Sequence, residues 1–400
     1  MIALLKNLKG DKAIWAVVAL LALFSFLPVY SASTNLVYVL EKGTTAGHLI
    51  KHAMLLFLGF GIIYAVHRIP AHYFKGLSII AMPIVLILLA YTLTVETNIG
   101  GVRANRWIQI PFVGVNFQTS TLAAVILMVW IARYLTKIKD VKITFKDSLL
   151  PLWLPTALVV LLILPENFST AAIIAFMVLI LCFLGGYPLK YILVMVTAGM
   201  VLVGMFLFVL FKAPELLPGE RGVTWKSRLE SFWNPESASA DSTHQTTLAK
   251  IAIAEGGLVG KGAGKSVMKN MLSQSTSDFI FAIIIEEYGL LGGGALMFFY
   301  LLLLFRIVVV ANAAERVFSK LLIIGVGLPI VFQAFINMAV VVQLFPVTGQ
   351  PLPLISMGGT SIWMTCLAIG IVLSASKKEI EGQADEIDET NPLEVLSGQL

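Results

Sequence analysis

Charge is scarce in this chain. Asp, Glu, Lys and Arg make up 13% of its 400 residues, about half the share usual in a soluble globular domain. Apolar residues reach 58%, and the mean hydropathy is +0.90. The shortage of charge excludes an ordinary soluble domain and a disordered chain, since disorder goes with low hydrophobicity and high charge. It also excludes a nucleic-acid binder that relies on a basic surface. The 28 Lys and Arg outnumber the 23 Asp and Glu, and in so apolar a chain the excess belongs at membrane boundaries. Cysteine is nearly missing. Cys182 and Cys366 both sit inside apolar runs, which excludes a disulfide framework and reads as two small buried hydrophobes.

Long apolar runs are what the chain has instead. A bilayer core about 30 Å thick needs around 20 apolar residues per helix. The pattern predicts ten transmembrane helices near 13–31, 50–67, 77–95, 119–136, 148–165, 170–186, 190–211, 278–305, 319–343 and 355–376. An even number puts both termini on one side. With that side cytoplasmic, 16 Lys and Arg fall inside and only 4 fall in the short outside loops, so the positive-inside rule gives N-in and C-in. A cleaved signal peptide is the alternative for the first span, given Lys6, Lys9, Lys12 and the small residues Ser31-Ala32-Ser33. The apolar stretch is longer than the usual signal core of about 7–15 residues, and removing it would break the parity. The expected organisation is all-α: one polytopic ten-helix domain over 1–376, with a large extracytoplasmic loop at 212–277 between helices 7 and 8. A disordered acidic cytoplasmic tail over 377–400 completes it.

The loop 212–277 departs from the rest. It contains Trp225, Phe232 and Trp233, the turn signal Asn234-Pro235, a Ser/Ala-rich stretch, the amphipathic run HQTTLAKIAIA, and then GGLVGKGAGKS. It reads as a partly helical pad at the membrane surface. The glycine run is not a P-loop: with Gly264 as the second glycine of GxxxxGK[ST], the first would fall at Val259. Glycines still let backbone N–H groups approach an anion, and Lys261, Lys265 and Lys269 add positive charge. A flexible basic turn against lipid headgroups is the plainer reading.

Other polar residues lie at span ends. Asp278 follows SQSTS at the start of the eighth span, where the helix dipole favours an acid. An acid at the lip of a membrane span is also a functional candidate. Glu286 and Glu287 lie deeper, as buried partners or relay groups, with Glu286 approximately on the Asp278 face. In the loop 95–118, Arg103, Arg106 and Trp107 read as headgroup contacts and an aromatic anchor. The stretch 343–361 is rich in Pro and Gly, which implies irregular backbone against protein or a wet cavity. His48, His52, His67 and His72 flank the second span in two pairs at opposite ends, which suits interface histidines rather than one metal site.

Taken together, these motifs resemble the SEDS family (shape, elongation, division and sporulation), the FtsW/RodA type of peptidoglycan glycosyltransferase. The matching stretches are RW at 106–107, SFWNP at 231–235, Gln245, AIAEGGLVGKGAGKSV at 252–267, SDFIFAIIIEEYG at 277–289, QAFIN at 333–337 and PLPLISMGGTS at 351–361. GKGAGKSVMK and SFWNP look more like the division-type FtsW branch. The chain departs from the family at Thr121 and Ala124, where a Glu and a Lys are usual. Both charges are missing together, as expected when a pair is removed as a unit. Before Asp278, the usual Glu and His are replaced by Gln274 and Thr276.

The resemblance implies polymerisation of lipid II into glycan strands on the outer face of the bacterial cytoplasmic membrane, at the division septum. The acceptor 4-hydroxyl attacks the donor anomeric carbon, and undecaprenyl pyrophosphate leaves. Asp278 resembles the family's essential acid and takes the general-base role. Arg106, Trp107, Gln245, Lys261, Lys265, Lys269, Ser356, Gly358 and Gly359 are the implied substrate-binding candidates. A divalent cation, Mg or Mn, fits the leaving group, with its ligands unassigned; no organic cofactor is expected. The implied partners are a class B penicillin-binding protein transpeptidase and other divisome membrane proteins, with no nucleic acid. Two alternatives compete: a flippase or transporter for lipid-linked precursors, lining a midplane cavity with Glu286, Glu287 and broken backbone, and a non-catalytic divisome scaffold in which Asp278 merely caps a helix.

Overall fold

The structure is a computed structural model and describes residues 8–38, 43–94, 98–99, 102–103, 107–110, 115–212, 221–233, 240–272 and 274–377. All ten apolar segments are helical. They form α1 (Lys12–Tyr38), α2 (Thr45–Val66), α3 (Tyr73–Thr94), α4 (Thr119–Ile138), α5 (Phe145–Ile163), α6 (Phe168–Leu184) and α7 (Leu189–Lys212). After α8 (Arg221–Trp233) and α9 (Ala240–Gly256) come α10 (Ile280–Ala313), α11 (Val317–Val341) and α12 (Gly359–Ala375). Among the described residues, eight helices are long and apolar enough to cross a membrane; α6 and α12 are shorter, at 17 residues each. The chain is therefore a polytopic, predominantly α-helical membrane protein.

Several boundaries differ from the sequence expectation. Helix α10 begins at Ile280 and runs to Ala313 instead of stopping near residue 305. The charge that suggested a stop, Arg306, is paired with Asp11 across the bundle, through Nε to Oδ1 at 3.4 Å and through Nη2 to Oδ2. Helix α12 starts at Gly359, four residues later than expected. Helix α1 extends to Tyr38, and Ser31, Ala32 and Ser33 lie buried inside it as packing residues. The loop after α3 is not simply irregular. It holds two short antiparallel hairpins, β1 (Asn98–Ile99) with β2 (Val102–Arg103) and β3 (Trp107–Ile110) with β4 (Val115–Gln118). In β4 the run VNFQ alternates apolar and polar residues, a short strand period that an all-helical reading passes over. The His52 and His67 rings are fully buried, not interfacial. His52 Nε2 lies 2.8 Å from Ser25 Oγ, and the His67 ring meets Trp15 edge-on at 5.5 Å. Cys182 and Cys366 are free and buried, as expected. Asn234 and Pro235, and the tail from residue 378, lie outside the described residues.

Helix α11 is central, packing on α4, α6, α10 and α12. Helix α7 is peripheral, with only Ile192 and Leu210 buried. The expected partly helical pad corresponds to α8 and α9. Trp225 of α8 docks on Phe206 of α7 and Phe168 of α6, with ring centroids 5.4 and 6.2 Å away. Helix α9 lies along α10 and buries Leu248, Ala249 and Ala252.

The glycine-rich turn after α9 is ordered. Its backbone pairs with a break in α10. Lys261 and Gly262 N–H groups donate to the Glu286 and Glu287 carbonyls, both at 2.9 Å. Leu290 and Leu291 N–H groups return the pairing to the Gly257 and Leu258 carbonyls at 2.9 and 3.1 Å. The break centres on Gly289, with φ 69° and ψ −174°, a conformation essentially confined to glycine. A Cβ on Gly289 would lie 2.2 Å from the Leu258 carbonyl oxygen, and one on Gly260 would lie 2.3 Å from that of Glu287. Two backbones touch here, so both sides must be glycine.

Candidate functional site

The stretch 342–358 connects α11 to α12 and folds back into the protein. Leu352, Leu354, Ile355 and Ser356 are at most 1% exposed. Buried irregular backbone needs partners for its carbonyls, and α10 and α11 supply them. Gln333 and Asn337, one helical turn apart on α11, donate through their amides to the Pro351 and Gln350 carbonyls, each at 2.8 Å. Tyr300 of α10 donates its hydroxyl to the Pro353 carbonyl. The Gln350 amide reaches Thr170 Oγ1 in the first turn of α6 at 2.7 Å. The QAFIN and PLPLISMGGTS stretches are thus two halves of one structure.

This braced loop holds the chain around Asp278. The segment 274–279 is a series of turns ahead of α10. Ser356 Oγ donates to the Ser277 carbonyl at 2.6 Å while accepting the Leu352 N–H at 2.8 Å. The Met357 N–H donates to the Thr276 carbonyl at 2.9 Å. Asn337 Nδ2 donates a second time, to the Asp278 carbonyl, at 2.8 Å. The Asp278 backbone is therefore fixed on three consecutive residues. Its side chain is partly exposed, and a Cβ on Gly349 would lie 3.5 Å from Oδ2. Gly349, at φ 67°, therefore packs close to the carboxylate. Asp278 precedes the first helical residue, and Phe279 is the N-cap. Asp278 and Glu286 consequently do not share a continuous helix face.

The β3–β4 hairpin joins the same end of the bundle. Gln118 N–H donates to Thr360 Oγ1 at 3.2 Å, and Thr360 Oγ1 donates to the Asn116 carbonyl at 3.0 Å. Trp107 faces Gln118 in the hairpin register. Gly358 caps α12, and Gly359 lies against the Asn116 carbonyl. The structure thus brings Asp278, Ser356, Gly358, Gly359 and the Trp107 strand to one end. Gln245 is partly exposed on α9. Arg106 lies outside the described residues.

The three lysines separate. Lys265 is exposed. Lys261 Nζ pairs with Glu255 and lies 3.1 Å from Glu286 Oε1. The Glu255 carboxylate, with Glu286 adding to it, holds Lys261 above the ordinary lysine pKa of 10.5. Lys269 is 7% exposed; its Nζ donates to the Gly264 carbonyl at 2.7 Å and to Ser31 Oγ at 3.0 Å. Ser31 in turn donates to Glu287 Oε1. Glu286 and Glu287 are at most 1% exposed, and they are partners of these lysines. Among the described residues, no three His, Cys, Asp or Glu side chains come together as a metal cluster.

Sequence reasoning passed over Gly349 and Ser31 and gave no separate roles to Gln333 and Asn337. The last two sat inside a recognised stretch and could have been read as polar residues on one face of an apolar helix. Ser31 carried no signal beyond its small size.

Known proteins share this fold and are similar in sequence. Residues 11–381 match the model of the cell cycle protein family named for FtsW, RodA and SpoVE. A Coxiella burnetii protein named "Probable peptidoglycan glycosyltransferase FtsW" is 31% identical over 370 residues, covering 90% of this chain and 94% of that one. A protein of the same name from Geobacter sulfurreducens is 31% identical over 374 residues, covering 92% and 95%. A solved chain described under structural coordination of polymerization and crosslinking by a peptidoglycan synthase complex is 26% identical. It covers 92% of this chain and 97% of its own, with a TM-score of 0.71. The crystal structure of the Thermus thermophilus rod shape determining protein RodA is also 26% identical, covering 93% and 98% with a TM-score of 0.63. A match over almost the whole length, on a fold whose braced loops are built from the very stretches that carry the likeness, leaves one assignment: the chain belongs to the FtsW/RodA/SpoVE family of cell cycle proteins.

Proposed function

We propose that this chain is a peptidoglycan glycosyltransferase of the SEDS type that polymerises lipid II during cell division, with Asp278 as its general base. It is a multi-pass protein of the bacterial cytoplasmic membrane. The observation that carries the catalytic assignment is the setting of Asp278: a partly exposed acid on backbone held at residues 276, 277 and 278, with Gly349 close beside its carboxylate.

The chemistry is glycosyl transfer. The acceptor 4-hydroxyl forms a bond to the donor anomeric carbon as the bond to undecaprenyl pyrophosphate breaks. Asp278 accepts the hydroxyl proton, a role that requires a fixed position within hydrogen-bond reach. The departing diphosphate needs charge stabilisation rather than a proton. Lys265, exposed on the glycine-rich turn, and Arg106 are assigned to it. Lys261 and Lys269 act through the turn they hold, because the Lys261 ammonium is engaged with Glu286 and that of Lys269 with the Gly264 carbonyl and with Ser31, which meets Glu287. Ser356 and Gly358 brace the site, and Trp107, Gln245 and Gly359 line the approach. A Mg or Mn ion would neutralise diphosphate charge, held mainly by phosphate oxygens and water, as magnesium commonly is. No protein step depends on it.

The topology that suits this reaction has ten crossings with both termini cytoplasmic. It places Asp278, α8 and α9 outside, where lipid II is used. The balance of 16 inside to 4 outside cations supports that orientation, and α6 and α12 would be the two short crossings. The partner is a crosslinking enzyme, which we assign as a class B penicillin-binding protein among other divisome membrane proteins.

The test is polymerisation of labelled lipid II by the purified protein and by Asp278→Asn, each alone and with its transpeptidase. Long glycan from the wild type and none from the folded variant is expected. Near wild-type polymerisation by Asp278→Asn overturns the base assignment. No glycan from folded wild type in any combination would favour transport or scaffolding.

A further inference from the structure

Two carboxylates lie buried side by side in α10, away from Asp278. Glu286 is 0% exposed and Glu287 is 1% exposed. A carboxylate is acceptor-only, with room for about four hydrogen bonds. Glu286 Oε1 accepts from Lys261 Nζ at 3.1 Å and from the Val267 N–H at 2.9 Å. Its Oε2 accepts from Ser266 Oγ and from the Met268 N–H at 3.3 Å. Glu287 Oε1 accepts from Ser31 Oγ and from the Ser266 N–H at 3.3 Å. Ser31 also accepts from Lys269 Nζ at 3.0 Å. Three successive backbone N–H groups, at 266, 267 and 268, therefore end on this acid pair. Two lysines on the same turn counter its charge.

The connection from Val267 to Glu286 closes a ring of chain. The two residues are 19 apart in sequence, and Asp278 lies within that interval. On one side the ring rests on the broken turn at Gly289; on the other it is tied to α1 through Ser31. Nothing in the glycosyl-transfer step calls for Glu286 or Glu287 to meet substrate, since both are buried and engaged: Glu286 through both oxygens and Glu287 through Oε1, its Oε2 having no hydrogen-bond partner among the described residues.

We propose that Glu286 and Glu287 are positioning residues: the acid pair, countered by Lys261 and Lys269, clamps residues 266–268 onto α10 and so fixes where Asp278 stands. The inference rests on the reading of Asp278 as base and deepens it. Breaking one member of a buried charge pair is costly, whereas removing both members together is tolerated far better. Charge rescue is therefore the signature.

The experiment uses the full-length protein with its transpeptidase and two readouts. The first, independent of activity, is hydrogen exchange of the segment containing residues 266–272. The second is kcat and KM for lipid II polymerisation. Glu286→Gln is expected to speed exchange of those amides at least tenfold and to lower kcat at least tenfold, with KM within twofold of wild type. Glu287→Gln and Lys269→Met are each expected to lower kcat similarly, and the double variant to return within threefold of wild type. If a single variant fails to fold, the double variant still decides, because the clamp predicts that it folds and turns over.

Unchanged exchange in folded Glu286→Gln overturns the clamp. Faster exchange with wild-type kcat overturns its link to Asp278. A raised KM with kcat retained overturns positioning in favour of direct substrate contact. A double variant no better than the worse single overturns the charge-pair argument. If Asp278→Asn polymerises normally, the base assignment fails by itself, and the exchange readout still judges the clamp.

Discussion

Replacing Asn337 with Leu tests how far the braced loop governs the site. Asn337 is 1% exposed, and its Nδ2 makes both bonds that matter, one to the Asp278 carbonyl and one to the Gln350 carbonyl. Its Oδ1 has no partner, so an apolar side chain of similar size removes only the donor side. A buried carbonyl at Gln350 and a part-buried one at Asp278 are then left unpaired, at about 1–3 kcal/mol for each group fully withdrawn from water, so roughly 2–6 kcal/mol is the upper range. Local relaxation favours the lower end. If about 2 kcal/mol of that falls on the placement of Asp278, polymerisation drops roughly 30-fold, since each ~1.4 kcal/mol is a factor of ten. The assay is the initial rate of glycan formation from labelled lipid II, paired with a thermal melt in the same detergent. Asn337→Asp supplies an internal check. An ionised carboxylate has no proton to donate and would face two carbonyl oxygens, so that variant should be at least as impaired. An Asn337→Leu protein that polymerises within threefold of wild type and melts at the same temperature would refute the reasoning.

Gly289→Ala places a Cβ 2.2 Å from the Leu258 carbonyl oxygen in a backbone conformation restricted to glycine; the expected cost is about 3 kcal/mol or more, read as a lower melting temperature and loss of exchange protection at Leu290 and Leu291. Lys265→Ala is expected to raise KM for lipid II several-fold with kcat nearly unchanged, and to weaken the salt dependence of KM; an unchanged KM would remove Lys265 from diphosphate binding. Lys261 is held above the ordinary lysine pKa by Glu255 and then Glu286. Its contribution to stability is complete below about pH 10.5 and is lost as pH rises through the higher folded value. Wild type should therefore lose stability with alkali in that window more steeply than Lys261→Met, and parallel curves would count against the pairing.

Much of this fold could be read from hydropathy because a bilayer demands long apolar helices, and the ten segments carry that demand openly. Their ends were less legible where a charge has a distant partner. Arg306 looked like a stop, yet Asp11, 295 positions away, neutralises it and the helix continues. The hairpins after α3 were hidden because strands of two to four residues leave a weak pattern between strong helical ones. At the site, the acid at position 278 stood out because it opens an apolar run. The division of the lysines did not. Lys261, Lys265 and Lys269 look alike at four-residue spacing, and only folding reveals that two of them meet Glu286 and the Glu287–Ser31 pair. Asn337 and Gln333 were visible as polar residues in an apolar helix, but their targets are backbone carbonyls, which leave no trace in side-chain identity.

The polar residues of the site end divide their labour in a way that follows from the medium. Irregular backbone is tolerated at membrane depth only when something else satisfies it. Around Asp278 that work falls to neutral side chains, since Gln333, Asn337, Tyr300 and Ser356 each take a carbonyl. One charged side chain joins them: Arg228 Nη1 of α8 donates to the Val347 carbonyl of the same loop at 3.4 Å. The acids and lysines are instead gathered at the Gly289 break, where Glu286 and Glu287 meet Lys261 directly and Lys269 through Ser31. This keeps opposing charges together at the break. A general base must be fixed in place. Bracing the Asp278 backbone with neutral donors, and fixing the flanking chain with the cluster of Glu255, Glu286, Glu287, Lys261 and Lys269, serves that requirement.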